Sequence, residues 1–266
     1  MLSCKRIVCL IPTLNEAPTV GEVIQKAKDF VDRVIVVDGH SSDDTSQVAL
    51  KLGVEVLPQE GKGKGMALRT AFSKIDEDIY VTIDGDATYD ASEINSLVMP
   101  IIEGEADMVV GSRLDGKMEE GAITGFHQFG NHVFNAMINI LNGSHISDSQ
   151  SGFRAIDGKW ARSLGLDTED FEIETEITIR AIRNGMRVKE VPITYRKRIG
   201  TPSKLSGFGA GYRIVKTILR CSLNSSALDN STAPDNHRPR TESDGTPQQN
   251  PKTIHNKGTP KPSQLA

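Results

Sequence analysis

Five short, predominantly apolar runs recur along the first half of the chain, at residues 7–11, 34–37, 54–57, 79–83 and 108–111. Between them, residues 18–30, 45–52, 64–74 and 92–103 carry apolar side chains at helical spacing, as with Val20, Val23, Ile24 and Ala27. A strand that is apolar on both faces needs cover on both, and helices between consecutive strands supply it. The pattern predicts an α/β fold, a mostly parallel sheet with helices on both faces. Ligands of such sheets bind beyond the carboxyl ends of the strands. Polar clusters follow Ile11, Val37, Ile83 and Val110, so the sheet would present them together.

Several functions are excluded early. A net charge of -4 argues against a general nucleic-acid binder, which needs an excess of Lys and Arg to meet phosphate. Three cysteines (Cys4, Cys9 and Cys221) form no C-x-x-C pair, which removes a zinc finger and a disulfide scaffold. Cys9, inside an apolar run, reads as a small core residue. Gly61-Lys62-Gly63-Lys64-Gly65 lacks the spacing of a P-loop, although it suits an anion at a helix start as well as it suits a solvated turn. No G-x-G-x-x-G follows the first strand, so the dinucleotide fingerprint is missing too. The apolar run before Pro12 is too brief for a signal peptide, and nothing approaches the ~20 apolar residues of a membrane span. The expected compartment is the cytoplasm.

Composition changes near residue 222. Residues 222–266 hold six of the twelve prolines and no aromatic residue. Such a segment cannot offset its chain entropy by burial and is predicted to be a disordered tail. One folded domain, residues 1–221, remains.

Charge is segregated along that domain. Residues 76–107 hold ten acidic residues and no Lys or Arg, whereas residues 187–220 hold nine basic residues and one acidic, Glu190. Solvated faces account for part of this; acid and base in one cleft would also suit a metal and a phosphate. Asp84-Gly85-Asp86, at the end of an apolar strand, is the sharpest local feature. Two carboxylates one residue apart repel unless a cation joins them, and Mg²⁺ favours such oxygen ligands while keeping waters and phosphate oxygens.

Set in order, six motifs resemble those of a family 2 glycosyltransferase. They are Ile11-Pro12-Thr13-Leu14-Asn15-Glu16, Val36-Val37-Asp38-Gly39-His40-Ser41, Asp84-Gly85-Asp86, Gly111-Ser112-Arg113, Asp148-Ser149-Gln150-Ser151-Gly152-Phe153-Arg154, and Glu190-Val191-Pro192-Ile193 with Arg198 and Lys204. The resemblance covers roughly residues 5–220 and is strongest to the polyprenyl (dolichyl) phosphate sugar synthases. It implies a nucleotide-diphospho-sugar transferase (GT-A, Rossmann-like) fold. It also implies transfer of a sugar, with inversion, from a UDP- or GDP-sugar to a polyprenyl phosphate at the cytoplasmic face of a membrane. A glycan hydroxyl acceptor is the alternative. A sugar nucleotidyltransferase would want a Gly-rich basic loop after the first strand, which this chain lacks.

The same resemblance implies the roles of individual residues. Pro12, Leu14 and Glu16 match the first nucleotide-contacting loop, and Asp38 the carboxylate that reads base or ribose. Asp84 and Asp86, with Gly85 between them, match the pair that holds Mg²⁺ or Mn²⁺ against the donor pyrophosphate. Arg113, Arg154, Arg198 and Lys204 match cationic positions around the donor and lipid phosphates. Asp86, Arg113 and Arg198 are the expected catalytic group.

Two later segments read either as core or as lipid-facing platforms. Residues 125–141 include Phe126, Phe129 and Ile140; residues 207–220 set Phe208, Tyr212 and Ile218 among Arg213, Lys216 and Arg220. Residues 171–184 predict a helix stopped by Gly185, with Glu176 and Arg180 spaced to pair. Glu172, Glu174 and Glu176 would supply a general base if one were needed, and are expected instead to orient Arg side chains or face solvent.

Overall fold

A computed structural model of the protein describes residues 5–199 and 208–223. Lys204 and the tail from residue 224 onward lie outside the described residues. The elements run β1 (Ile7–Thr13), α1 (Val20–Ala27), β2 (Arg33–Asp38), α2 (Thr45–Lys51), β3 (Glu55–Pro58), α3 (Lys64–Lys74) and β4 (Ile79–Thr82). After a 3-10 turn at Ala91–Glu93 come α4 (Ile94–Ile102), β5 (Met108–Met118), α5 (Gly125–Asn142), β6 (Arg154–Asp157), α6 (Gly158–Ser163), α7 (Ile173–Arg183), β7 (Val188–Tyr195) and α8 (Phe208–Leu223). The last helix extends two residues past the expected boundary at 221.

The seven strands form one sheet in the order β3-β2-β1-β4-β6-β5-β7. All pairings are parallel except those of β6, which runs antiparallel to both β4 and β5. Alternation along β1 divides the core. Cys9 and Ile11 face the side covered by α1 and α4, with Val20, Ile24 and Leu97. Val8 and Leu10 face the side covered by α3, α6 and α7, with Leu68, Trp160 and Ile177. Burial pushes the Cys9 thiol up to about 12, as befits an inert core residue. A third, smaller cluster joins Ile138 of α5, Ile179 of α7 and Ile214, Ile218 and Cys221 of α8.

The acidic and basic stretches of the sequence meet each other. Arg187 grips Asp107 through Nε and Nη2, Lys189 reaches Glu105 at 2.5 Å, and Arg196 pairs with Asp90. β7 lies parallel beside β5, which brings the basic stretch alongside the acidic one. Part of the segregated charge is therefore neutralised in partly exposed ion pairs between the two stretches.

The loop at residues 148–152 is fixed from every side. Asp148, fully buried, takes the Arg113 guanidinium at 2.8 Å through Nε and again through Nη2, and also accepts the Arg113 backbone amide. Glu190 accepts the amides of Ser147 and Asp148, Asn135 accepts that of Ser149, and Tyr89 accepts that of Gly152. Arg154 donates to the carbonyls of Ser149 and Ser151 and to Thr178. Burial opposes the Asp148 charge, but Arg113 outweighs it and holds the carboxyl below its ordinary value. Since that value is depressed in the native state, the contribution to stability is complete above the ordinary Asp range and is lost as pH falls through it. Asp148→Asn should cost about 3–5 kcal/mol at pH 7, the penalty for opening a buried pair. Urea titrations should show the variant and the wild type converging as pH drops below about 4.

Candidate functional site

The carboxyl ends of β1, β2 and β4 carry three non-glycine residues with left-handed backbone: Asn15 (φ 54°), His40 (φ 65°) and Ala87 (φ 58°). These are the non-glycine residues with positive φ among the described residues, and all three lie in the loops that shape one cleft. Strain of this kind, about 1–3 kcal/mol per residue, persists where the surroundings over-determine it. Asn15 shows how: its amide donates to Ser41 while its side-chain oxygen accepts the Ser42 amide, tying the first loop to the second.

Pro12, Leu14, Glu16, Asp84, Gly85, Asp86 and Arg198 all line this cleft, so the structure brings together seven of the residues expected from sequence. Gly85 is required by close approach, since a Cβ there would lie 2.8 Å from Thr13 Cγ2. Asp86 accepts the Thr88 amide and hydroxyl on Oδ1, and Arg198 Nη1 at 2.7 Å on Oδ2. Burial, then the neighbouring Asp84 charge, pushes the Asp86 carboxyl above its ordinary value against those contacts. Arg198 also reaches Glu16 at 2.5 Å. Asp84 is more exposed and pairs with Lys64 Nζ at 2.5 Å.

Asp38 ends β2 in register with Thr13. Its Oδ2 accepts the Ser41 amide, whereas its Oδ1 and the Thr13 hydroxyl, both buried, meet no hydrogen-bonding partner among the described residues. Buried oxygens left in this way suit the donors of a bound ligand.

Arg113 and Arg154, expected beside phosphates, do not line the cleft. Arg113 is clamped by Asp148 and stands over the Tyr195 ring at 5.2 Å. Arg154 is only 1% exposed, because its donors are turned inward to hold the 148–152 loop. Both brace the wall behind Asp84: Thr82 Oγ1 donates to the Gly152 carbonyl, and a Cβ on Gly152 would lie 2.8 Å from Lys64 Nζ and 3.0 Å from Asp84 Oδ2.

Gln59, Asp170 and Phe171 also line the cleft, which sequence reasoning did not anticipate, and so does Lys64, one of the two lysines that the glycine-rich run offered to an anion. The glycines around Lys64 gave the signal. A Cβ on Gly63 would lie 2.3 Å from the Glu169 carbonyl oxygen, and one on Gly65 2.5 Å from that of Thr168. The glycine-rich stretch therefore seats the 168–170 segment against the start of α3, rather than forming a solvated turn.

Two carboxylates of β4's exit are candidates for a metal. Among the described residues no third Asp, Glu, His or Cys joins them. That donor set fits a hard divalent cation that keeps waters and shares phosphate oxygens, not one caged by protein alone. In the later segments, Glu174 meets Lys64 at 2.6 Å, and Glu176 accepts the Asp167 and Thr168 amides and pairs with Arg180. Glu176 orients an arginine, as expected, whereas Glu174, buried, takes a lysine instead.

Comparison with known proteins agrees with this architecture. The family model described as glycosyl transferase family 2 matches residues 8–165. Glycosyltransferase AglJ of Haloferax volcanii is 36% identical over 72% of this chain, and the match covers 63% of that protein's length. A dolichyl-phosphate hexose transferase of the same organism is 32% identical over 82% of this chain and 94% of its own. Among solved structures, glucosyl-3-phosphoglycerate synthase of Mycobacterium tuberculosis, in complex with Mn²⁺, UDP and glucosyl-3-phosphoglycerate, superposes with a TM-score of 0.67. It is 23% identical, with 82% of this chain and 80% of that one covered, and shares the GT-A fold.

The glycine contacts set up a contrast. Gly63 has φ 97° and meets backbone, so Gly63→Ala combines strain with a clash that cannot relax and should cost at least about 1–3 kcal/mol. Gly152→Ala meets side-chain tips, the Lys64 ammonium and the Asp84 carboxylate, rather than backbone, and should melt within roughly 2–4 °C of wild type. Thermal denaturation of the two variants checks both.

Proposed function

We propose that this chain, which belongs to glycosyl transferase family 2, moves a sugar from a UDP- or GDP-sugar to a polyprenyl (dolichyl) phosphate with inversion at the anomeric carbon. The observation that carries this reading is the state of the late carboxylates. Glu174 is held by Lys64, and Glu176 by Arg180 and two amides, so neither stands ready to take a proton from a hydroxyl acceptor. A phosphate monoester, with a second pKa near ~6, is already anionic at pH 7. It asks for positioning and charge neutralisation. The name of one relative, a dolichyl-phosphate hexose transferase, supports the same acceptor class.

In this reading the nucleoside enters along Pro12 and Leu14, toward Asp38 with its unpartnered Oδ1. Asp84 and Asp86 would hold Mg²⁺ or Mn²⁺, which when bound neutralises the departing diphosphate. Arg198 is the arginine of the expected three that faces the cleft, and we assign it to the phosphates, with Lys204 assigned there by resemblance. Arg113 and Arg154 act from behind, by fixing the loop on which Asp84 rests. Labelled UDP- and GDP-sugars should give a lipid-extractable product with polyprenyl phosphate and none with the corresponding polyprenol. Asp86→Asn should lower turnover at least about a hundredfold, and EDTA should abolish it. Transfer to the alcohol, or full activity in EDTA, would overturn the reading.

We further propose peripheral attachment at the cytoplasmic face of the membrane. No helix of the described residues is long and apolar enough to cross one. α5 carries no Asp, Glu, Lys or Arg, and Phe126, Phe129, Val133 and Ile140 share one exposed stripe of it. α8 exposes Tyr212 and Leu219, but Ile218, expected at the interface, is fully buried against α5 and α7. Because Arg187, Arg196, Arg213 and Arg220 are engaged in ion pairs, apolar contact outweighs charge here. Phe126→Ser with Phe129→Ser should reduce co-sedimentation with liposomes severalfold, and 0.5 M salt (about a 4 Å screening length) should reduce it less. Binding unchanged in the double variant would sink this assignment.

A further inference from the structure

Lys64 opens α3 with a side chain only 13% exposed, yet it is shared between two carboxylates from distant parts of the chain. Its Nζ lies 2.5 Å from Asp84 Oδ1 and 2.6 Å from Glu174 Oε1. The backbone of Gly152 closes over the pair on one side, and the cleft lies on the other. Asp84 is thus the cleft-facing, half-buried edge of an ion pair rather than a bare anion.

A divalent cation approaching Asp84 alone meets this ammonium beside its ligand. Two like charges a few ångströms apart in a partly buried site repel strongly. An anionic diphosphate reverses the balance, because a lysine is a compact charge on a flexible four-carbon stem and can turn from one oxyanion to another without moving the backbone. We infer that Lys64 is a positioning residue that serves as the resident counter-ion of Asp84, so that a free divalent cation binds weakly and enters together with the nucleoside diphosphate. This rests on the proposed metal and donor site and adds to it a coupling between the two ligands. By linkage, the factor by which the diphosphate raises metal affinity equals the factor by which metal raises diphosphate affinity.

Mn²⁺ binding, read from the electron paramagnetic resonance signal of the free ion, tests the inference with and without UDP or GDP. Calorimetry supplies the nucleotide affinities. Lys64→Met leaves Glu174 buried without a partner, so the charge-balanced Lys64→Met/Glu174→Gln variant is measured beside it. Wild type should bind Mn²⁺ weakly until one of the nucleotides is added. The double variant should bind free Mn²⁺ at least roughly tenfold tighter, and the nucleotide at saturating Mn²⁺ severalfold weaker. These shifts have opposite signs, whereas a merely structural role for Lys64 would weaken both affinities. Lys64→Arg should keep the wild-type order. Equal or weaker free Mn²⁺ binding in the double variant overturns the inference while leaving the metal site intact. Mn²⁺ that binds neither protein, with or without nucleotide, overturns the metal reading and this inference together.

Discussion

A carboxylate withdrawn from water loses several kcal/mol of hydration, which must be replaced by a cation or by an array of donors. At the carboxyl edge of this sheet the requirement is met by bringing distant segments together. Asp84 at the end of β4 takes Lys64 from α3, and Asp86 takes Arg198 from beyond β7. Asp90 takes Arg196, and at the opposite, amino edge Asp107 takes Arg187. Behind them Asp148 takes Arg113. At both edges of the sheet the basic segment that returns beside β5 supplies partners to the acidic one. The pairing of β7 with β5 is the backbone expression of the same constraint.

This arrangement separates two kinds of ion pair. Arg113–Asp148 and the contacts of Arg154 are enclosed, satisfied and remote from the cleft surface. They hold the 148–152 loop, whose Gly152 leaves just enough room for Lys64 and Asp84 to touch. Lys64–Asp84 and Arg198–Asp86 instead lie where a ligand would enter. A cation already engaged with protein carboxylates can exchange them for phosphate oxygens at little net cost, since like replaces like. The enclosed pairs have no such exchange open to them.

Much of the architecture was legible because it rests on local periodicity. The five apolar runs became β1 to β5, and the residues predicted for α3 are its observed limits, Lys64–Lys74. β6 and β7 escaped for physical reasons. β6 has four residues and begins with a buried arginine, so its apolar run is too short to register, and only the partners on either side make it a strand. β7 is an edge strand of mixed polarity that admits Pro192, which a central strand would not. The carboxylates of the cleft were legible as a motif. The partners of Lys64 and Arg113 were not, because an ion pair between residues 20 to 110 positions apart leaves no trace in spacing or periodicity.

The charge runs make the same point more sharply. Read along the chain, acid in one stretch and base in another suggest two external ligands of opposite sign. Folded, the two stretches neutralise one another along β5 and β7, and what remains for ligands is confined to the strand ends. The chemistry of the cleft follows from which pairs stay accessible rather than from how many charges the sequence carries. Asp84, Asp86, Lys64 and Arg198 are accessible, whereas Glu176 is sealed by Arg180 and two backbone amides. The proposed phosphate acceptor fits such a site, because exchangeable cations serve phosphate oxygens while the late carboxylates are tied down.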